Sequence, residues 1–468
     1  MIQKKSAIVT LVALGLIACG GGKSEVKNPA NASGKKDRSG NQVSKAAAEG
    51  FERALDSFAA HDRKGDWNDS SCTSVAEEFL DASKKQEAAT NGKKLPEAHY
   101  NAGLAYQRCQ KDVDARKQYD IAVGIDSNFH RARAQIALYD FAKSKDLDGT
   151  IAKLEQIIRD AKFQNSEALV GVAALQMERN NDQSNDDGKN DLERAQRNLQ
   201  RALAIDDSFM PAFNQLAVYY LELAKSKAAK EEGKKKRRRG LVAASAVGLD
   251  VNQQQLDLAA LVASQAIRKN PNYAPIHNTA GLIQVELKNF NGSVKSFATA
   301  RRLDPRFFEA HMNYAAVNLS FRGFAEAEKA YRDALKLRPN EYEARLGLAL
   351  AIRGQIRPGD PGKLTDKAQA ELDAARKLEP NRPETYYNDA ILTQEYRAKG
   401  DEKSSIPMLK KAADMYRQFI SKAGSEPQFA EAVKRAKERS TDIDDTVKFI
   451  EEGEAAKKAG GGAPPPGT

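Results

Sequence analysis

Pro271, Pro305 and Pro339 follow one another at intervals of 34 residues. Other residues keep step: His277 with His311, Gly281 with Ala315, Phe297 with Tyr331, and Ala300 with Ala334. A fixed period of this length constrains the fold more than any composition does. One such unit cannot bury its apolar face alone, so like units must stack into a continuous array.

The pattern inside the period names the unit. Bulky residues fall at positions 4, 7, 11 and 24, small ones at 8, 20 and 27, and proline near 32. This resembles the tetratricopeptide repeat (TPR), in which small positions let two antiparallel helices approach and proline ends the second helix. The unit from Phe308 carries His311, Tyr314, Ala315, Ala327, Tyr331, Ala334 and Pro339 in these slots. The unit from Ala274 carries His277, Ala280, Gly281, Phe297, Ala300 and Pro305, and the unit from Pro96 carries His99, Gly103, Tyr106, Ala115, Tyr119 and Ala122. Weaker units fit by phase at 130–163, at 166–207 with an insertion near 180–190, and from Ala212 with a long insertion near 225–255. Two more follow at 342–380 and 383–421. The resemblance implies an all-α, TPR-like helix–turn–helix solenoid, a right-handed superhelix with disordered termini. Its parts are a helical cap at 44–95, the array at 96–421, a capping helix at 422–452 and a disordered tail at 453–468.

Composition agrees with helices packed through small contacts: only 7% of residues are aromatic. The net charge is +10, but it is unevenly placed. Between Lys225 and Arg239 nine basic residues face two acidic ones, and Lys23 to Gln42 is also basic. The array itself is therefore close to neutral, which argues against a nucleic-acid partner, since a groove for phosphates should be basic.

Residues 1–18 have the parts of a secretory signal: Lys4 and Lys5, then a short apolar core from Ala7 to Ile17. Leu16-Ile17-Ala18-Cys19 resembles the bacterial lipobox, whose cysteine is diacylated and becomes the first residue after cleavage. Several buried acyl chains hold such a protein stably at a membrane. Gly20 stands where an inner-membrane retention signal would place aspartate, so the resemblance implies the outer membrane, on its periplasmic face. Residues 19–43, the lipidated Cys19 and a stretch rich in Gly, Ser, Asn and Lys, read as a disordered tether.

Catalytic motifs are missing. No His-Glu-x-x-His, Cys-x-x-Cys or Gly-x-Ser-x-Gly pattern occurs, so no catalytic residue, metal or cofactor is expected. His99, His277 and His311 share position 4 of their repeats, where a packing residue belongs. Cys72 and Cys109 fall at the start of one helix and the end of its antiparallel neighbour. A disulfide between them is geometrically reasonable; two unpaired buried thiols are the alternative. Lys234, Lys235, Lys236, Arg237, Arg238 and Arg239 form an unbroken basic run before the apolar stretch Leu241–Leu249. It reads either as an element touching anionic lipid or as a solvated loop followed by a helix resting on the array.

In TPR proteins positions 2, 5, 9, 12 and 13 of the first helix point into the partner groove. Here that phase selects Tyr100, Leu104, Gln107 and Arg108; Asn214, Val218 and Leu221; Asn278, Leu282 and Val285; and Met312, Ala316 and Leu319. The mixed surface suits a peptide or partner helix, or self-packing by the chain's own termini. The sum of these features is a non-catalytic scaffold that assembles proteins of an envelope complex. The layout resembles most the TPR lipoproteins of the myxobacterial gliding-motility apparatus. Regulators of peptidoglycan-synthesising enzymes, and assembly factors for pilus secretins or polysaccharide export, share the plan.

Overall fold

The computed structural model describes residues 36–37, 40–185, 188–237, 247–357, 362–398 and 402–460. Among them are nineteen α-helices and no strand. The chain divides after Pro305 into two compact units, where the repeat phase alone suggests one unbroken array.

The first unit holds six helical hairpins. They are α1 (Lys45–Lys64) with α2 (Asp69–Ala89), α3 (Pro96–Arg108) with α4 (Asp112–Ile125), α5 (His130–Ser144) with α6 (Leu147–Asp160), α7 (Ser166–Arg179) with α8 (Asp191–Ile205), α9 (Met210–Arg237) with α10 (Val247–Lys269), and α11 (Ala274–Glu286) with α12 (Phe290–Leu303). The second unit holds α13 (Phe308–Ser320) with α14 (Phe324–Leu337), and α15 (Tyr342–Arg353) with α16 (Lys363–Leu378). Its last hairpin pairs α17 (Glu384–Leu392), extended by a π-helical turn at Thr393–Arg397, with α18 (Glu402–Ala423), and α19 (Ala430–Gly460) packs on α18.

The small positions work as the pattern requires. A Cβ on Gly103 would lie 2.5 Å from the ring of Tyr119, and one on Gly281 would lie 2.5 Å from the ring of Phe297. Each glycine thus seats the bulky residue of its own partner helix. The hairpins turn tightly after the first helix, with Gln110, Lys145, Asn180, Lys288 and Arg322 each in the left-handed backbone region. At position 4, His99 and His311 are buried and His277 is half-buried, and His99 has specific partners. The Nδ1–H of His99 donates to Gln118 Oε1 at 2.8 Å, and Nε2 lies 3.2 Å from the Ser83 hydroxyl. Burial first, opposed by the bond to Gln118, keeps this ring below its ordinary pKa.

Three expected boundaries change. The stretch near 225–255 is largely not a loop: α9 continues to Arg237 and α10 begins at Val247, lengthening both arms of one hairpin. Alanine, glutamate and lysine dominate residues 222–236, and these are strong helix formers with no proline to stop them. The end of the tether is ordered, because Ser44 N donates to Gln86 Oε1 at 2.8 Å and Gln86 Nε2 donates to Gln42 O at 2.7 Å. The expected disordered tail at 453–468 starts instead as helix, since α19 runs to Gly460. Cys19 and the rest of the signal segment lie outside the described residues. So do the side chains of Lys234 to Arg239, although the backbone of 234–237 belongs to α9.

The first unit also meets itself. Asn272 Nδ2, between α10 and α11, donates to the carbonyl of Arg63 at 2.5 Å. Gly65, in the turn after α1, lies against Leu303 at the end of α12. The first and sixth hairpins are therefore in contact.

Candidate functional site

The turn that makes this contact is built around Arg108. Its guanidinium donates to both carboxylate oxygens of Asp62, at 2.9 and 3.0 Å, and lies 4.8 Å over the ring of Phe58. Trp67 Nε1 donates to the same carboxylate at 2.7 Å. Beside it Cys72 and Cys109 form a disulfide with Cα atoms 6.2 Å apart, joining the start of α2 to the end of α3. The sulfurs lie near Asp69, but as a disulfide they are not available as metal-ligating thiolates.

On the first-helix face of the first unit, side chains from successive repeats are tied to one another. The Tyr100 hydroxyl on α3 donates to Glu167 Oε1 on α7 at 3.1 Å. Arg131 on α5 donates to the same carboxylate from Nε at 2.5 Å and also from Nη2, and stacks 5.0 Å over the Tyr100 ring. Burial alone would push the Glu167 carboxyl up; the charge and hydrogen bonds of Arg131, with the Tyr100 bond, hold it below the usual glutamate range. Gln107 Nε2 donates to Gln135 Oε1 at 3.2 Å, Gln215 Nε2 to Met177 Sδ at 3.3 Å, and Thr279 Oγ1 to Asn214 Oδ1 at 2.7 Å.

This corrects the expected groove. Tyr100, Leu104, Gln107, Leu221 and Asn278 are buried, and Arg108 is committed to Asp62. Asn214 is engaged with Thr279, while Val218, Leu282 and Val285 are half-buried. The physical reason is close approach of successive first helices, which lets their polar groups satisfy one another rather than wait for a partner.

The second unit keeps a face of different character. Met312, Ala316 and Leu319 on α13 are half-buried. The same phase carried to the units at 342–380 and 383–421 reaches Arg353 and Glu395, and Asn388 lies one residue off that phase. Arg353 Nη1 donates to Asn388 Oδ1 at 3.1 Å and to its carbonyl at 3.3 Å. Among the described residues no carboxylate lies within ion-pair distance of this guanidinium. Burial depresses its pKa, against the opposing pull of Glu395 and then of Tyr396, Tyr416 and Tyr387. Next to it, Arg439 Nη1 of α19 donates to Glu395 Oε1 at 2.9 Å, Gln394 Oε1 at 3.0 Å and the Tyr416 hydroxyl at 3.1 Å. Burial, relieved in part by Arg439, pushes the Tyr416 phenol up to about 12. Gln394 and Glu395 reach this position because they sit in the π-helical turn, whose extra residue per turn re-aims side chains.

The 34-residue period, the hairpin pairing and the glycine-under-ring contacts decide the architecture. The chain has an all-α, TPR-like repeat fold. No family model matches it, and no curated protein matches it. Solved structures do. A thermophilic TPR protein from Thermus thermophilus is 20% identical, with 48% of this chain and 99% of that one covered at a TM-score of 0.38. A tetratricopeptide repeat protein from Parabacteroides merdae is 13% identical, covering 67% of this chain and 98% of its own at 0.37. PilF of Pseudomonas aeruginosa is 15% identical, covering 55% and 95% at 0.37.

Proposed function

We propose that this TPR-like protein is a non-catalytic scaffold that gathers protein partners of an envelope complex, held at the outer membrane by acylated Cys19. Partner capture is assigned to the first-helix face of residues 306–468. The observation that carries this reading is Arg353: a half-buried guanidinium that donates to Asn388 and, among the described residues, has no carboxylate within ion-pair distance, with Met312, Ala316 and Leu319 on the same helical phase. Glu395 compensates this charge only from a distance, and a partner carboxylate would pair with it directly. Tether and anchor together confine that face near the membrane and raise its effective concentration for partners there. Among envelope machines, the lipobox, basic insertion and Pro-rich tail favour the gliding-motility apparatus.

The test is co-precipitation from solubilised envelope with the intact chain, Arg353→Glu and Leu319→Glu. Both variants should lose the wild-type partners while circular dichroism reports unchanged helix content. Retention of every partner by folded Arg353→Glu and Leu319→Glu would remove the second unit's face from the function.

A further inference from the structure

A second charged site lies away from the first-helix faces, between α6 and α8, the second helices of adjacent hairpins. A pocket of about 60 Å³ is lined there by four arginines, Arg159, Arg194, Arg197 and Arg201, and by one carboxylate, Glu155. That volume admits a few water-sized groups, which is the size of a carboxylate head. Buried Ile158 also lines it.

The four guanidiniums are not equally committed. Arg194 is buried and bound to Asp191 at 2.5 Å, and Arg197 donates to Glu193 Oε1 at 2.8 Å. The hydrogen bonds of Arg159 and Arg201 among the described residues go to neutral amide oxygens, Gln156 Oε1 at 2.9 Å and Asn198 Oδ1 at 3.4 Å. Neither has a carboxylate within ion-pair distance among the described residues. Glu155 itself accepts from Gln176 Nε2 at 3.3 Å.

The rim is unusual too. Lys162 and Phe163 both adopt left-handed backbone angles, φ 50° and 60°, in the turn from α6 to α7. Non-glycine residues rarely do so, and a bulky one is held there only when its surroundings demand it. The result is a Phe163 ring that remains 41% exposed and carries the Arg201 guanidinium 5.1 Å above it. Stacking fixes the orientation of Arg201 and leaves its donor edge available for a planar acceptor.

We infer that the Arg159–Arg201 pocket, with Phe163 at its rim, is a docking site for an acidic segment of a protein partner, whose carboxylate enters between the two guanidiniums. It lies on second helices and stands independently of the groove in residues 306–468. A phosphodiester strand fits it less well. Such a strand needs an extended basic track, whereas Glu155, Asp160 and Glu193 flank this pocket.

Fluorescence anisotropy on the full chain tests this with three labelled probes: hexaglutamate, hexaglutamine and an oligothymidine single strand. Hexaglutamate should bind, more weakly as salt rises, and hexaglutamine should not. R159A/R201A should weaken hexaglutamate by roughly tenfold or more, because each hydrogen bond to a charged group is worth about that factor. Removing the carboxylate that lines the pocket with E155Q should tighten it, which keeps the test decisive if the double variant folds poorly. Unchanged binding by folded R159A/R201A, no tightening by E155Q, equal binding of hexaglutamine, or tighter binding of oligothymidine would each overturn the assignment.

Discussion

Replacing Gly281 and Gly124 by alanine should move stability in opposite directions, by amounts that the two surroundings set. Both glycines sit inside helices, so each substitution gains the intrinsic helix preference of alanine, about 1 kcal/mol. At Gly124 nothing lies within 4 Å of the added Cβ, so that gain should appear nearly whole. At Gly281 the Cβ would fall 2.5, 2.6 and 2.8 Å from three carbons of the Phe297 ring. That ring is fully buried and cannot swing away, so the hairpin itself must open. Overpacking of this kind costs about 1–3 kcal/mol, and three ring atoms in overlap place it near the upper end. The net expectation is a loss of about 2 kcal/mol for Gly281→Ala against a gain of about 1 for Gly124→Ala. Urea unfolding followed by circular dichroism should separate the midpoints with little change in slope. Phe297→Leu should partly rescue Gly281→Ala. A stabilised Gly281→Ala would refute the claim that the glycine exists to seat the ring.

Other consequences can be checked in the same way. Opening the Cys72–Cys109 bridge, whose partners are 37 residues apart, should cost about 2–4 kcal/mol, read from urea midpoints of Cys72→Ser/Cys109→Ser against wild type. Glu167→Gln removes the buried carboxylate that pairs with half-buried Arg131 and should cost about 3 kcal/mol, with a shallower loss of stability in acid. The sign follows from a folded-state pKa below the unfolded one: the Glu167 contribution is complete above the ordinary glutamate range and disappears as pH falls through the depressed value. Thermal melts across that range should show wild type and variant converging in acid. Cys19→Ser should abolish labelling by a clickable fatty acid, and absence of label on the wild type would remove the lipid anchor.

The periodic part of the molecule was legible because its signals are local. Helix pairs, caps and the glycine-and-ring partners repeat within one 34-residue unit, so position alone identifies them. What the sequence hid are contacts that cross units. Glu167 is 36 residues from Arg131 and 67 from Tyr100, and no pattern within one repeat links them. The groove positions in the first unit were selected correctly by phase as first-helix residues, yet the tight approach of neighbouring helices spends them on internal bonds. Arg353 and Glu395 follow from extending the same phase two units further, whereas Asn388 does not. The π-helical turn and the division after Pro305 leave no local signature. The long arms of α9 and α10 were masked by charge: a lysine-rich run looks like a loop, although its residues favour helix.

The bond between Asn272 and Arg63 joins positions 209 residues apart. An ordinary stack of repeats can begin folding anywhere and grow by adding neighbours, because each repeat touches only the next. Here the first hairpin has a second neighbour that does not yet exist while the chain is being made, since synthesis proceeds from the N-terminus. Until residues 272–303 emerge, the turn at Gly65 has nothing to rest on. The disulfide and the Asp62–Arg108 pair can form early and hold that turn in shape, so the sixth hairpin arrives at a prepared surface. Chains cut short before Leu303 should therefore carry a native disulfide yet remain open to proteolysis at the Arg63–Gly65 turn, a defect that disappears once α12 is complete.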